Sequence, residues 1–436
     1  MNFIEEESNR DSFLKHFLHS QTASGLVLLV VSVFAFLLAN SDFWESYDAF
    51  SHTHVSLTLA EWSLDLGLSH WVNDGLMVLF FFLVGLEIKR EILVGELSDR
   101  RKAALPVFAA LGGMVVPALI YALFNLISPE TRSGWGVPMA TDIAFVIGVL
   151  SLLGKRVPLS LKVFLICLAI VDDLGAIIVI ALFYTEEFHL LSLLASLPFV
   201  GLSFGYNKLN GTRGPVYALL CMGCWYFMLK SGIHATIAGV LMAITIPIRR
   251  KYNLNEINAT IHRRVKEDYF ILRREDVDAL ESVIRNTESP LQRFERNLHP
   301  WVGFFIMPVF AFFNAGVHLP THLSFALIFE PHVLGIFLGL FLGKPIGVLL
   351  ACMIAIKFGW ASLPTGVNWK AMIGVAYLAG LGFTMSLFIS VLAFDPGSVE
   401  LQEAKLGILA ASLCAMFVGA PLTWYGLKTP PNKKTS

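Results

Sequence analysis

The 436 residues carry 32 Lys and Arg against 33 Asp and Glu, a formal net charge of −1; 56% are hydrophobic and only 15% charged, with mean hydropathy +0.67. A soluble chain of this length carries about 25% charge, so the composition excludes an ordinary soluble globular protein and indicates a polytopic membrane protein. The positive charges are dispersed among loops and form no basic tail or stripe, which excludes a nucleic-acid partner.

The chain opens on a polar stretch, 1–22, containing Glu5, Glu6, Glu7, Asp11 and Lys15, which lacks the pattern of a signal peptide. Apolar stretches of bilayer length then fall near 24–40, 71–88, 103–127, 136–154, 159–184, 190–206, 215–230, 232–248, 301–317, 332–356, 371–394 and 406–427. That reads as an all-α membrane protein of about twelve spans. The expected organisation is one membrane domain: tail 1–23, spans one to eight over 24–248, a charged loop 249–299, spans nine to twelve over 300–427, and tail 428–436.

In chain order, the polar loop 41–70 shows alternation at 54–59 (HVSLTL), the pattern of a short hairpin, for which an oligomer contact, and hence a homodimer, is one role. The fourth span carries Pro138, Thr141, Asp142 and Gly148. Pro removes a backbone donor, and Thr and Asp compete for backbone partners, so an unwound segment is expected near 141–142. The fifth span holds adjacent Asp172 and Asp173 in a run whose only other charge is Lys162. A carboxylate at bilayer centre costs about 2.5–3.5 kcal/mol on insertion scales, which marks this pair as the candidate site of function. The five cysteines all lie in apolar segments; Cys221 and Cys224 have metal-like spacing but no companion pair, so packing is the simpler reading.

The loop 249–299 has helical apolar spacing at Val277, Leu280 and Ile284, consistent with a solvated cap or with a regulatory segment. Lys344 lies halfway along the tenth span, where an isolated ammonium must pair or deprotonate, and Asp172 is its natural partner. The eleventh span is weakened by Gly374, Gly380, Gly382 and Thr384. Unwound backbone at membrane depth is tolerated only inside protein or beside a water cavity, so two broken helices crossing near the midplane would bring half-helix termini, with their partial charges, to one spot. If the spans alternate, nearly all Lys and Arg fall on one face, and both termini are expected to be cytoplasmic. Arg132, Lys230 and Lys405 remain on the other.

Seven segments in order, 73–91 (NDGLMVLFFFLVGLEIKRE), 140–145 (ATDIAF), 169–176 (AIVDDLGA), 231–239 (SGIHATIAG), 299–301 (HPW), 343–347 (GKPIG) and 380–386 (GLGFTMS), give the chain a resemblance to the NhaA family of bacterial sodium/proton antiporters over nearly its whole length. Spans three to five and ten to twelve, offset by an odd number, run in opposite senses and form an expected inverted-topology repeat; the NhaA antiporters are themselves a standard instance of such repeats, so the two lines are not independent. The resemblance implies that Asp173 is a principal sodium ligand and proton carrier, with Asp172 beside it alternating between Lys344 and the ion, and Thr141 lending an oxygen. It implies that Asp142 compensates positive half-helix N-termini as Lys344 compensates negative C-termini. Glu87, Glu91, Glu295 and His299 match positions tied to pH activation, and His234 a histidine that affects the pH profile. This chain departs from the pattern in having Arg296 where well-known members carry a second histidine, and in a longer insertion before Glu295.

The implied function is pH-regulated, electrogenic exchange of Na+ or Li+ for H+ by alternating access in the bacterial inner membrane, with no cofactor beyond the transported ions. Sodium prefers oxygen ligands, and adjacent buried carboxylates also favour the proton, so the two ions compete for one site. Simpler readings stand beside each role: an interhelical ion pair for the aspartates, a half-helix cap for Asp142, a solvated helix end for Glu87 and Glu91, and a satisfied buried histidine for His234. A sodium-coupled solute symporter is the rival transporter. An intramembrane aspartyl protease would also bury two aspartates, but its Gly-x-Gly-Asp signature is absent.

Overall fold

The computed structural model describes residues 21–59, 62–185, 189–249, 288–319 and 329–428. Every apolar stretch of the sequence is helical over most of its described length. Seven helices are long and apolar enough to cross a membrane, or eight when the bent pair Trp369–Ala379 and Phe383–Ala393 counts as one span.

The first helix, α1 (Gln21–Ala39), leads to α2 (Trp44–Ser51) and the expected hairpin, in which β1 (His54–Leu59) pairs antiparallel with β2 (Trp62–Gly67). A wide π turn over Trp71–Leu76 feeds α3 (Met77–Leu93). Next come α4 (Arg100–Phe124), a tight 3₁₀ segment over Arg132–Met139, α5 (Ile143–Leu152) and α6 (Leu159–Phe183). Three peripheral helices follow, α7 (Leu190–Lys208), α8 (Gly214–Leu229) and α9 (Thr236–Thr245). The second half runs through α10 (Pro290–Trp301), α11 (Met307–Asn314), α12 (Pro331–Leu338), α13 (Lys344–Lys357), α14 (Trp369–Ala379), α15 (Phe383–Ala393) and α16 (Val399–Lys428).

Two boundaries stand well away from the hydropathy reading. The ninth span begins at Pro290, not Trp301: Ser289 and Gln292 form a reciprocal capping box that starts the helix while Arg293, Glu295 and Arg296 still depress its hydropathy. The helical part of the last span begins at Val399, not Leu406, so Lys405 is a buried helical residue instead of a loop charge. Of the loop 249–299, residues 250–287, including the apolar face near 280, lie outside the described residues.

The sequence also gave no warning of three π turns, at Trp71–Leu76, Val302–Ile306 and Gly339–Gly343. The last two precede Pro308 and Pro345. A proline ring clashes with the carbonyl four residues back, and one wide turn relieves that clash without ending the helix. Phe81 of α3, Phe310 of α11 and Phe388 of α15 meet in the core, with ring centroids 5.2 Å apart for Phe81–Phe388 and 6.0 Å for Phe310–Phe388.

A close helix contact joins α4 to α13. A Cβ on Gly112 would strike the Gly347 carbonyl, and one on Gly347 would strike the Gly112 carbonyl, so backbone lies on backbone. Small residues permit such approach between membrane helices. Gly112→Val and Gly347→Val are therefore expected each to cost about 1–3 kcal/mol by overpacking. Gly201→Val on α7, where nothing lies within 4 Å of an added Cβ, should be neutral. Thermal unfolding of the detergent-solubilised variants checks the contrast.

Candidate functional site

The site begins where two helices stop. Between the 3₁₀ segment and α5, residues 140–142 are non-helical, and between α14 and α15 the chain breaks at 380–382. These extended pieces cross and bond directly: the Asp142 amide donates to the Leu381 carbonyl at 2.6 Å. A Cβ on Gly382 would come within 3.1 Å of the Ala140 carbonyl, and one on Gly380 would press on the Leu340 carbonyl. Close packing requires glycine at both points, against the crossing segment at Gly382 and against the Gly339–Gly343 turn at Gly380. Pro138 ends the first half-helix beside Gly339, and the Ser386 hydroxyl donates to the Val137 carbonyl at 2.8 Å.

Asp142 satisfies two helix N-termini at once. Its Oδ1 accepts from the Phe145 amide of α5 at 3.0 Å, and its Oδ2 accepts from the Thr384 amide of α15 at 3.0 Å and from the Thr384 hydroxyl. The residue is 1% exposed, so this carboxylate balances both positive helix ends inside protein. The opposite ends meet a cation: Lys344 Nζ donates to the Met139 carbonyl at the end of the 3₁₀ segment.

The same ammonium lies 2.7 Å from Asp172 Oδ2, with both side chains 0% exposed. Thr141 completes the junction, its hydroxyl 2.7 Å from Asp172 Oδ2 and 2.8 Å from the Ala379 carbonyl at the end of α14. One hydroxyl hydrogen can serve only one of these acceptors at a time. The Lys344 stem runs over Gly113, whose added Cβ would sit 3.5 Å from Lys344 Cε. Asp173, 2% exposed, follows on α6 within electrostatic reach of Asp172, Asp142, Lys344 and Glu87. Asp172 Oδ1 and Asp173 Oδ1 are both buried, and neither has a hydrogen-bond partner among the described residues. Two carboxylate oxygens left open beside a neutralised one have the chemistry to accept a proton or a hard cation.

The chain matches the model of the family described as Na+/H+ antiporter 1 over residues 15–422. It is 45% identical over 416 residues, 93% of this chain and 89% of the relative, to the Na(+)/H(+) antiporter NhaA 1 of Saccharophagus degradans. It is 46% identical over 424 residues to the Na(+)/H(+) antiporter NhaA of Koribacter versatilis, covering 95% of this chain and 92% of that one. The corresponding protein of Acidithiobacillus ferrooxidans is 45% identical over 424 residues, covering 94% and 96%. The chain belongs to the Na+/H+ antiporter 1 family. It is thus a multi-pass membrane transporter and not an enzyme, and its substrates are Na+ and H+.

A second charged group lies at the far end of α3 in this antiporter. Arg90 binds Glu91 at 2.7 Å and Glu295 of α10 at 3.1 Å, while Glu91 also accepts from the Glu96 amide. Arg90, Glu295 and His299 line one cavity of about 550 Å³, with Arg296 bonded to Glu288 at its rim. Glu87 lies within electrostatic reach of Glu295, Arg90 and Glu91, and so stands between this group and Asp173. His234 is elsewhere, with Nε2 2.5 Å from the carbonyl of Tyr184 just past the end of α6. That is eleven residues along the chain from Asp173, roughly 17 Å along a helix axis. The structure therefore brings Glu87, Glu91, Glu295 and His299 together and leaves His234 apart. Sequence reasoning missed Ser386 and the carbonyls of Met139 and Ala379, because backbone partners leave no trace in residue type.

Because Asp142 caps two helices, Asp142→Ala should cost about 2–4 kcal/mol, twice an ordinary cap, while Asp142→Asn, retaining one acceptor, should cost less. Thermal unfolding ranks the two. Removing one member of a buried ion pair strands the other charge, so Lys344→Ala should cost about 3–5 kcal/mol, and adding Asp172→Asn should recover part of that loss. A double-mutant cycle reads the coupling.

Proposed function

We propose that Asp172 and Asp173 bind the transported cation and its counter-protons, and that their competition for these carboxylates couples the two fluxes. The observation that carries this reading is the pair of buried, unpartnered oxygens, Asp172 Oδ1 and Asp173 Oδ1, beside the Asp172–Lys344 bond. A sodium or lithium ion entering between the aspartates takes oxygens from both and from Thr141, in place of part of its hydration shell. Its charge displaces the proton of Asp173 and weakens the hold of Asp172 on Lys344. A proton leaving Lys344 in the same step makes the exchange two protons for one cation, hence electrogenic. If the crossing reorients only when the carboxylates hold cation or protons, an inward proton gradient expels sodium.

The cytoplasmic cluster of Glu87, Glu91, Arg90, Glu295 and His299 controls access and supplies the pH response, with Glu87 as its link to Asp173. His234 acts separately, on the packing of the α6 end. The protein sits in the bacterial inner membrane with both termini cytoplasmic, works without a cofactor, and forms a homodimer through the 41–70 hairpin.

The test uses everted vesicles with an imposed pH gradient, whose collapse is read on adding sodium, lithium or potassium. Wild type should respond to sodium and lithium, and its apparent KM for sodium should rise as pH falls, because protons then win the carboxylates. Asp173→Ala should lose at least 90% of the response, about the effect of 1.4 kcal/mol in occupancy. An unchanged response in Asp173→Ala, or a response that requires an added organic solute, would sink this mechanism.

A further inference from the structure

A cavity of about 790 Å³ opens on the face that carries the hairpin, walled by α2, α11, α15 and α16. Its rim and side carry the carboxylates of Asp48, Glu330 and Glu403. Its inner wall includes Asn314, hydrogen-bonded to Asn73, and Val391 of α15. Val391 lies eight residues from Phe383, so the wall reaches within about 12 Å, along the helix axis, of the Asp142-capped crossing.

Lys405 lines this cavity in the second turn of α16 and is 6% exposed. No carboxylate lies within 4 Å of it among the described residues, and it makes no hydrogen bond there. Lys405 lines the cavity without such a partner, whereas Lys344, the other buried lysine among the described residues, is held by a carboxylate and a carbonyl. An unpaired ammonium at this depth is costly unless it has a use. The wall as a whole attracts cations at its mouth, through three carboxylates, and repels them further in, through one ammonium.

We propose that this cavity is the ion passage on the hairpin face and that Lys405 is the charge that lowers cation affinity from that side, making sodium binding asymmetric across the membrane. The proposal rests on the exchange reading above and adds a residue outside the aspartate site. Sodium arriving from the hairpin face passes a fixed positive charge that sodium arriving from the opposite face does not meet. Once past Lys405, sodium leaving by that route is repelled outward and is not recaptured at depth. A unit charge acting over about 10 Å at an effective dielectric near 20 corresponds to roughly a ten-fold change in local cation occupancy.

The test compares half-saturation for sodium from each side, in right-side-out and everted vesicles at one neutral pH, where the lysine carries its proton, for wild type, Lys405→Gln, Lys405→Arg and Asp48→Asn. Lys405→Gln should lower the half-saturation concentration about ten-fold on the hairpin face and leave the opposite face unchanged. Lys405→Arg should match wild type, and Asp48→Asn should raise the hairpin-face value about two- to three-fold. Equal shifts on both faces, or Lys405→Arg behaving as Lys405→Gln, would show a packing role and overturn the assignment. Should Lys405→Gln not fold, Asp48→Asn decides: no shift confined to the hairpin face overturns the passage. Absence of sodium exchange in wild type defeats the exchange reading itself, whereas exchange without asymmetry defeats only the role of Lys405.

Discussion

At bilayer depth a broken helix has no solvent to satisfy its backbone, and this chain breaks two helices at the same place. The crossing of 140–142 with 380–382 solves that constraint by making each break the partner of the other. The Asp142 amide bonds across to Leu381, its carboxylate caps α5 and α15, and Lys344 answers the carbonyl end of the 3₁₀ segment. One acid, one base and the Thr141 hydroxyl thus do for four half-helix ends what separate caps do in water. The tight α4–α13 contact follows from the same need, because Gly112, Gly113 and Gly347 let α13 sit close enough for Lys344 to reach the crossing.

That economy makes the crossing adjustable. Lys344 divides its protons between the Met139 carbonyl and Asp172, and Thr141 stands between Asp172 and the Ala379 carbonyl. A change in charge on Asp172 therefore changes the electrostatic balance at the ends of both broken helices. Packed cores respond to such changes by switching between discrete arrangements, not by gradual deformation. The buried carboxylate–lysine group and the break points of both helices are one group of atoms.

Much of this was legible in the residues. Adjacent aspartates in an apolar run, a lone lysine in another and glycine-rich or proline-bearing spans locate the site, because charge and helix breakers are conspicuous against a hydrocarbon background. Beyond the Lys344–Asp172 pair, the partnering could not be read: nothing in sequence says that Asp142 accepts from Thr384, 242 residues away, or that the partners of Thr141 and Lys344 include carbonyls. Span ends also misled wherever polar residues occupy a helical turn, as at Glu295 and Arg296 in α10 and at Glu400, Glu403 and Lys405 in α16. Hydropathy measures what a membrane would accept, and a turn that faces a cavity or the aqueous boundary escapes it.

The two enclosed lysines show how far the same side chain can be turned to different ends. Lys344 has a carboxylate at 2.7 Å and lies in the closed interior, so its charge is a local quantity, cancelled by Asp172 and felt mainly by the helix ends it touches. Lys405 has no such partner among the described residues and faces a cavity, so its field is screened only by whatever fills that space. A paired charge fixes structure; an unpaired one acts at a distance along a passage. The sign also matters. A carboxylate at the position of Lys405 would extend the acidic rim of Asp48, Glu330 and Glu403 inward, whereas an ammonium there ends it.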